Sequence, residues 1–539
     1  MKHRPPERIE LGIEELQSIL ERATREPLSS EEYARLKAAV DTLRFLTQEL
    51  EAKGASVERL RRLLFGAKTE TTRSVLGEDA GRDGGQASRQ AGSKRTGHGR
   101  NGAGAYRGAE RVRVAHASLR HGDGCPDCAK GKVYAQSDPA VLVRVKGMAP
   151  LRATVYEMDR LRCHLCGKVF TAQTPAGVGT EKYDETAAGM IALLKYGAGL
   201  PFYRLQQLER DLGIPLPAAT QWEVVERAAG LIVPAHEELI RQAAQGDVVH
   251  NDDTTMKILE FTGEARAEAA PGSAAAERTG VFTSGIVSVA GGRRIALFMT
   301  GPKHAGENLA AVLAHRAAER SPPIQMCDAL SRNTAGEFEA IVSNCITHAR
   351  RRYVEVATSF PEECRYVLET LREIYRTDTR ARAEQLSPAE RLRLHQEESG
   401  PRMEQLKAWL DERIEGRHVE PNSGLGEAIG YMRKHWERLT LFLRVPGAPL
   451  DNNICERALK KAILHRKNAL FYKTGNGARV GDLFMSLIHT AELCEANPFD
   501  YLVALQRHAR AVEADPPAWM PWNYTEALAR LATDPAPSN

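Results

Sequence analysis

The stretch Asp247-Val248-Val249-His250-Asn251-Asp252-Asp253-Thr254-Thr255-Met256-Lys257-Ile258-Leu259 decides how the chain is read. Its alternation predicts a β-strand with Val248, His250, Asp252, Thr254, Met256 and Ile258 on one face. Val249, Asn251, Asp253 and Thr255 fall on the other. Asp252 and Asp253 therefore cannot both serve one site from a regular strand. A low-complexity loop (Glu264 to Arg278) follows, then expected strands at Gly280 to Val289 and Arg293 to Thr300. Ile324 and Met326 mark another strand, ending at Asp328.

Two more acids matter. Asp328 stands at a strand end, where an acidic side chain can leave the core for a cleft; it reads equally as a turn or N-cap residue before Ala329 to Asn333. Glu456 lies in Asp451-Asn452-Asn453-Ile454-Cys455-Glu456-Arg457-Ala458-Leu459. The helix expected there has Leu459, Ala462 and Ile463 as an apolar stripe, with Glu456 and Lys460 one turn apart beside it. Asn453 followed three residues later by Glu456 also reads as a capping box, a purely structural role. Carboxylates from distant parts of a chain suit hard cations such as Mg²⁺. Cutting and rejoining DNA calls for carboxylates holding two such ions about 3.5–4 Å apart. Among 70 acidic residues three acids alone decide nothing, so the words around them carry the weight.

At 539 residues the chain is too long for one core, and 42% hydrophobic with 27% charged residues is ordinary for globular domains. The net charge of +4 is unevenly spread. Ser88 to Gly108 carries five Lys/Arg and no acid, and Arg457 to Lys473 carries six and no acid, which fits phosphate-binding surfaces or simply solvated ones. Lys460, Lys461, Arg466, Lys467 and Lys473 would face the backbone of bound DNA if their helix borders the cleft. No apolar run reaches a membrane span and Met1 to Gly12 lacks the core of a signal peptide, so a cytoplasmic location without membrane contact is expected.

Nine cysteines do not make a disulfide scaffold. Cys125-Pro126-Asp127-Cys128 and Cys163-His164-Leu165-Cys166 form two Cys-x-x-Cys knuckles able to close a tetrahedral thiolate site, with Lys132 to Arg162 as the ribbon. Four thiolates leave no open position, so this Zn²⁺ is expected to be structural. Before it, Leu36, Leu43, Leu50, Val57 and Leu64 recur every seven residues, as a coiled coil or a short amphipathic hairpin would show. Gly66 to Glu110 is read as a flexible basic linker. Leu205, Leu208 and Leu212 share a helical face, Gly213-Ile214-Pro215 stops that helix, and another begins at Ala218 with Trp222, Val225 and Ala229. That outline suits a helix-turn-helix DNA reader or a bundle bracing the catalytic domain. Tyr366 to Ile374, Pro388 to Ile414 and Leu425 to Leu443 are also expected to be helical.

Several words stand in order along the chain: Arg59-Leu60-Arg61-Arg62-Leu63-Leu64-Phe65-Gly66, the four-cysteine module, His250 to Thr254, Cys345-Ile346-Thr347-His348-Ala349-Arg350-Arg351, Asp451 to Leu459, and Trp519-Met520-Pro521-Trp522-Asn523-Tyr524. Together they resemble the DDE transposases of the insertion-sequence 66 family, over most of the chain. The resemblance implies a multidomain α+β protein. Its parts would be N-terminal helices (1–65), the linker (66–110), a zinc-ribbon-like module (111–178) and a helix-turn-helix region (179–245). A ribonuclease-H-like core (246–340 and 446–508) would follow, interrupted by an all-helical insertion (341–445), with a C-terminal tail (509–539). It implies Asp252, Asp328 and Glu456 as catalytic ligands of two Mg²⁺ ions, with Mn²⁺ as substitute. Asp252 would bridge the pair.

The implied partners are element terminal repeats and target DNA, a second copy of the chain or a higher oligomer, and accessory proteins of the same element. Cys345 and His348 make an incomplete zinc site by themselves and are read as packing or hydrogen-bonding groups. Two rivals remain. A non-catalytic, transposase-derived DNA-binding regulator would have a damaged triad, whereas all three acids stand in their words. A metal nuclease with the same core would cleave without joining, which strand-transfer products would reveal.

Overall fold

A computed structural model describes residues 18–19, 21–23, 27–40, 117–127, 130–134, 149–162, 169–179, 181–262, 280–336 and 338–533. The basic linker, Leu43 to Leu64, Cys128, Cys163, Cys166 and the loop from Glu264 to Arg278 lie outside them, while Leu36 sits within a helix over 30–40. The chain divides into two compact units, 81–152 and the remainder. In the smaller unit a short antiparallel turn carries Cys125, whose N–H donates to Gly131 O at 2.8 Å beside a bridge between Gly124 and Lys132. In the larger, β1 (Arg160–Arg162) pairs antiparallel with β2 (Val169–Thr171). Among the described residues, the ribbon expected over Lys132 to Arg162 is limited to the Lys132 bridge and β1.

The larger unit is organised by one mixed sheet. Its strands are β3 (Val248–Met256), β4 (Val281–Ala290), β5 (Arg293–Gly301), β6 (Ile324–Cys327) and β7 (Ile341–Asn344), in the order β5-β4-β3-β6-β7. β4 runs antiparallel to β3 and β5, whereas β6 lies parallel to β3 and β7 parallel to β6. The β4–β5 hairpin closes on Gly291 and Gly292, both at positive φ (53° and 83°). That is the backbone a two-residue hairpin loop demands and glycine adopts without a steric penalty.

Helices cover both faces. Upstream come α1 (Glu185–Ala192), α2 (Phe202–Asp211) and α3 (Ala218–Ala244). The turn between α2 and α3 uses Gly213 at φ 81°, and the buried Gln221 amide locks it by donating to Phe202 O and Leu216 O at 3.0 Å. Leu205 is buried on α2, but Leu208 and Leu212 are exposed, so the three do not form one covered stripe. α3 continues for 27 residues until Ser288 Oγ donates to Ala243 O at 2.6 Å. The second helix of the expected helix-turn-helix is thus also a brace on the sheet. α4 (Ala305–Leu313) shares that face, where Asn308 Nδ2 donates to Ser284 Oγ at 2.8 Å.

After β7 the chain becomes helical: α5 (Ile346–Val356), α6 (Pro361–Ala383), α7 (Pro388–Leu394), α8 (Gly400–Glu415), α9 (Gly424–Lys434) and α10 (Trp436–Leu439). These helices share a core, including Tyr353, Leu371, Leu406 and Ile429, into which Ile324 of β6 and Leu450 also pack. The helical stretch expected from residue 341 therefore starts after a strand that belongs to the sheet. α11 (Asn453–Ala469) crosses the opposite face of the sheet from α4, followed by α12 (Gly475–Leu493), α13 (Pro498–Arg507), α14 (Ala509–Ala514) and α15 (Tyr524–Thr533). Of the segment expected as a tail (509–539), residues 509–533 hold α14 and α15, with Trp519 and Met520 buried and Tyr501 Oη donating to Trp519 O at 3.0 Å.

α12 finishes the sheet. Its Asp482, Ser486 and Thr490, four residues apart, accept from the N–H groups of Thr300 (2.6 Å), Phe298 (2.9 Å) and Ala296 (3.0 Å) along the rim of β5. A helix face of polar side chains thereby satisfies an edge strand that would otherwise expose its ladder groups. Burial pushes the Asp482 carboxyl up to about 7, against the hydrogen bonds from Thr300. Replacing Asp482 with Ala should lower the unfolding free energy by about 1–3 kcal/mol, because the Thr300 N–H loses its acceptor; chemical denaturation measures this. The folded chain also holds this proton more tightly than an unfolded carboxyl of about 3.9. The contribution is therefore full below about pH 4 and is lost as pH rises through about 7. Asp482→Asn should flatten that part of the stability–pH curve.

Candidate active site

Each face of β3 meets a different partner. On the odd face, Asp253 Oδ2 lies 2.9 Å from His304 Nδ1, and Asp253 Oδ1 lies 3.7 Å from Arg332. His304, left out of the sequence-derived site, packs its ring on Phe282 and hydrogen-bonds Asp253 on the face away from Asp252. On the even face stand His250, Asp252 and Thr254, beneath α11.

α11 can lie so close because of one missing side chain. Gly285 is paired directly with Asp252 across β4, and a Cβ there would meet Leu459 Cγ at 2.9 Å. Cys455 Sγ donates to Gly285 O at 3.2 Å. At the helix start the fully buried Asn452 donates from Nδ2 to Asn251 O at 3.0 Å, and its Oδ1 lies 3.1 Å from His250 Nδ1. At the other end Arg466 bonds Thr254 Oγ1 (3.0 Å), Thr255 Oγ1 (2.7 Å) and Thr255 O. Beyond the helix, Tyr472 N donates to Lys257 O at 2.9 Å. The helix is pinned at both ends and in the middle, which sets Glu456 in its first turn beside Asp252.

Asn453 is the first helical residue and Asn452 the cap position, whose side chain turns to β3, so the Asn453–Glu456 capping box does not form. Glu456 Oε1 is buried without a hydrogen-bond partner and stands 3.9 Å from His348 Nδ1 on α5.

Asp328 follows the last residue of β6. Its Oδ1 accepts from Leu330 N (3.1 Å), a turn bond, and from Asn333 Nδ2 (2.7 Å). The same Asn333 Nδ2 lies 3.4 Å from Asp252 Oδ1, so one amide spans two carboxylates. Asn333 is placed by a buried polar network: its carbonyl accepts from Asn251 Nδ2 and Gln325 Nε2, both at 2.7 Å, and Gln325 Nε2 also donates to Asn251 Oδ1 at 2.9 Å. Buried hydrogen-bond networks of this kind hold their members in one geometry in a low-dielectric interior. Burial, reinforced by the charges of Asp328, Asp253 and Glu456, pushes the Asp252 carboxyl up to about 7, despite the hydrogen bond from Asp253 N. Its charged form is disfavoured until something positive arrives.

Asp328 and Glu456 thus both come within electrostatic reach of Asp252. Cys345, His348 and Glu456 also cluster, with one donor atom from each lying within 4.8 Å of the others. Of the basic residues, Lys461 pairs with Glu492 at 2.9 Å and Arg466 is engaged as described, whereas Lys460, Lys467 and Lys473 are exposed. Arg352 stacks over the Tyr431 ring at 4.1 Å. Sequence reasoning missed Asn251, Gln325, Asn333 and Asn452. A polar residue between apolar neighbours, such as Gln325 between Ile324 and Met326, was the only local sign.

A family model described as "Transposase IS66 family" matches residues 182–480, a little over half the chain and a range containing all three acids. Curated relatives include three proteins of Sinorhizobium fredii (strain NBRC 101917 / NGR234), each named only as uncharacterized. Protein y4jD is 27% identical over 359 residues, 64% of this chain and 66% of that protein. Protein y4hP is 26% identical over 406 residues, 70% of each chain, and y4qI is 25% identical over 352 residues, 63% of this chain and 62% of that one. The chain spans just under two thirds of the first relative's length.

The close approach at Gly285 makes a sharp expectation. Gly285→Ala should destabilise the larger unit by about 1–3 kcal/mol, since Leu459 has to move out of a packed layer. Asn452→Ala should cost a similar amount, roughly 1–3 kcal/mol for the buried groups it leaves unpaired. Denaturant unfolding checks both. Hydrogen exchange should show the loss centred on β3 and α11.

Proposed function

Because this chain belongs to the IS66 transposase family, we propose that it is a DNA transposase that nicks the ends of its element and joins them to target DNA through Asp252, Asp328 and Glu456. The observation that carries this is that Asp328 and Glu456, from distant parts of the chain, both come within electrostatic reach of Asp252. Asn333 spans Asp328 and Asp252, and Glu456 lies close enough to raise the Asp252 carboxyl. The strand order β5-β4-β3-β6-β7, with β4 antiparallel to both its neighbours, supports a ribonuclease-H-like core.

The residues fit divalent metal ions. An all-oxygen acidic set and a carboxyl held up to about 7 by burial and neighbouring negative charge are what a hard cation would relieve. When bound, a pair of Mg²⁺ ions, or Mn²⁺, would supply activation of the attacking oxygen and stabilisation of the leaving one. In this reading Asp252, Asp328 and Glu456 would together hold these ions. Asn333 orients Asp328 and Asp252, and Asn452 holds the helix that presents Glu456. His304 and Arg332 engage Asp253, which keeps this second acid occupied on the opposite face of the strand.

Lys460 and Lys467 would grip DNA backbone, an interaction that adds affinity without sequence information. Lys461 and Arg466 keep that role only where DNA displaces their protein partners. Structural Zn²⁺ on Cys125, Cys128, Cys163 and Cys166, pairing of two copies to join two ends, and accessory proteins of the same element complete the proposal. Among the described residues, no helix is long and apolar enough to cross a membrane.

Purified Asp252→Asn, Asp328→Asn and Glu456→Gln proteins, assayed on labelled element-end DNA with Mg²⁺, should each lose cleavage. The loss should exceed the roughly 10–100-fold typical of removing an outer-shell partner. Cleavage retained in any of them, with folding and DNA binding unchanged, overturns the reading. Cleavage without joined products in the unaltered protein would make it a nuclease instead. Lys460→Ala with Lys467→Ala should weaken DNA binding on all sequences alike. The salt slope should fall by about 0.9 for each phosphate no longer neutralised, measured by titration at several salt concentrations.

A further inference from the structure

Glu456 faces two ways. Toward β3 it joins the acids; toward α5 it meets a different donor set. Cys345 caps the start of α5, and His348 follows three residues later on the same face, so their side chains converge. Cys345 Sγ accepts from the buried Asn452 N–H at 3.2 Å, which fixes the position of the sulfur.

His348 Nδ1 and Glu456 Oε1 are both shielded from solvent without a hydrogen-bond partner. They stand 3.9 Å apart, whereas a charge-assisted hydrogen bond would close to about 2.7–2.9 Å. With Cys345 Sγ they form a triangle whose corners all lie within 4.8 Å. A tetrahedral zinc with bonds of about 2.0–2.3 Å places its ligand atoms roughly 3.3–3.8 Å apart, so small side-chain adjustments close this triangle on an ion.

We propose that Cys345 Sγ, His348 Nδ1 and Glu456 Oε1 bind one thiophilic divalent cation of the zinc class, distinct from the four-cysteine module. Sulfur, imidazole and carboxylate together favour Zn²⁺ over Mg²⁺. Three protein ligands leave the fourth position open, on the side where His348 and Glu456 are each 27% exposed. Binding there draws Glu456 away from Asp252, so occupancy opposes Mg²⁺-dependent chemistry. That consequence rests on the role proposed above for Glu456; the binding itself does not.

The test uses the full-length chain. Zn²⁺ equivalents per chain are measured by equilibrium dialysis and elemental analysis, and thiolate-to-cobalt charge-transfer absorption is followed as Co²⁺ is added. The unaltered protein should hold one equivalent more than Cys345→Ser or His348→Ala, and Glu456→Gln should weaken that equivalent by tenfold or more. Cys345 is fully buried, so circular dichroism accompanies each variant. The His348 and Glu456 variants carry the test if Cys345→Ser does not fold. Equal equivalents and equal cobalt spectra in unaltered protein, His348→Ala and Glu456→Gln overturn the proposal. Glu456→Gln that loses cleavage but keeps its Zn²⁺ equivalents sinks the cation site and leaves the transposase reading intact; loss of one equivalent with cleavage preserved does the reverse.

Discussion

The whole site depends on one helix held at one height across one strand. Asn452 is the first anchor, a buried amide that has to satisfy both its own groups and the Asn251 carbonyl. Gly285 is the second, because only the absence of a side chain lets Cys455 and Leu459 settle against β4. Arg466 is the third, reaching back to Thr254 and Thr255. A slip of α11 by one residue would break all three at once and strand polar groups away from water, at a cost comparable to the stability of a domain. Glu456 has little freedom to stand anywhere but beside Asp252.

The second acid is governed from the opposite face. Asn251, Gln325 and Asn333 share their amides so that Asn333 arrives with a donor aimed at Asp328. The helices between Asp328 and Glu456 are not a separate appendage. Their core includes Ile324, four residues before Asp328, and Leu450, six before Glu456. Movement of that core would be felt at both carboxylates, since packed interiors transmit displacement rather than absorb it.

Much of this was legible in the residues, and the rest was hidden for physical reasons. Period-two alternation separated Asp252 from Asp253 correctly, because strand geometry leaves no choice. The Leu459 and Ala462 stripe showed which side of α11 is buried. β7 was absorbed into the helical stretch because four residues, Ile341 to Asn344, carry too short a pattern. The capping box at Asn453 and Glu456 looked right locally, yet Asn452 took the cap position for the sake of a partner two hundred residues away. Arg466 read as a free cation for the same reason: Thr254 is distant in sequence and adjacent in space. Long-range satisfaction of polar groups leaves no periodic trace.

The polar face of α12 has an effect beyond the helix itself. By occupying the outer N–H groups of β5, it removes the open ladder on which another copy of the chain could add a strand. Sheets that terminate in this way do not propagate from molecule to molecule. Any assembly of copies must recruit surfaces other than this rim.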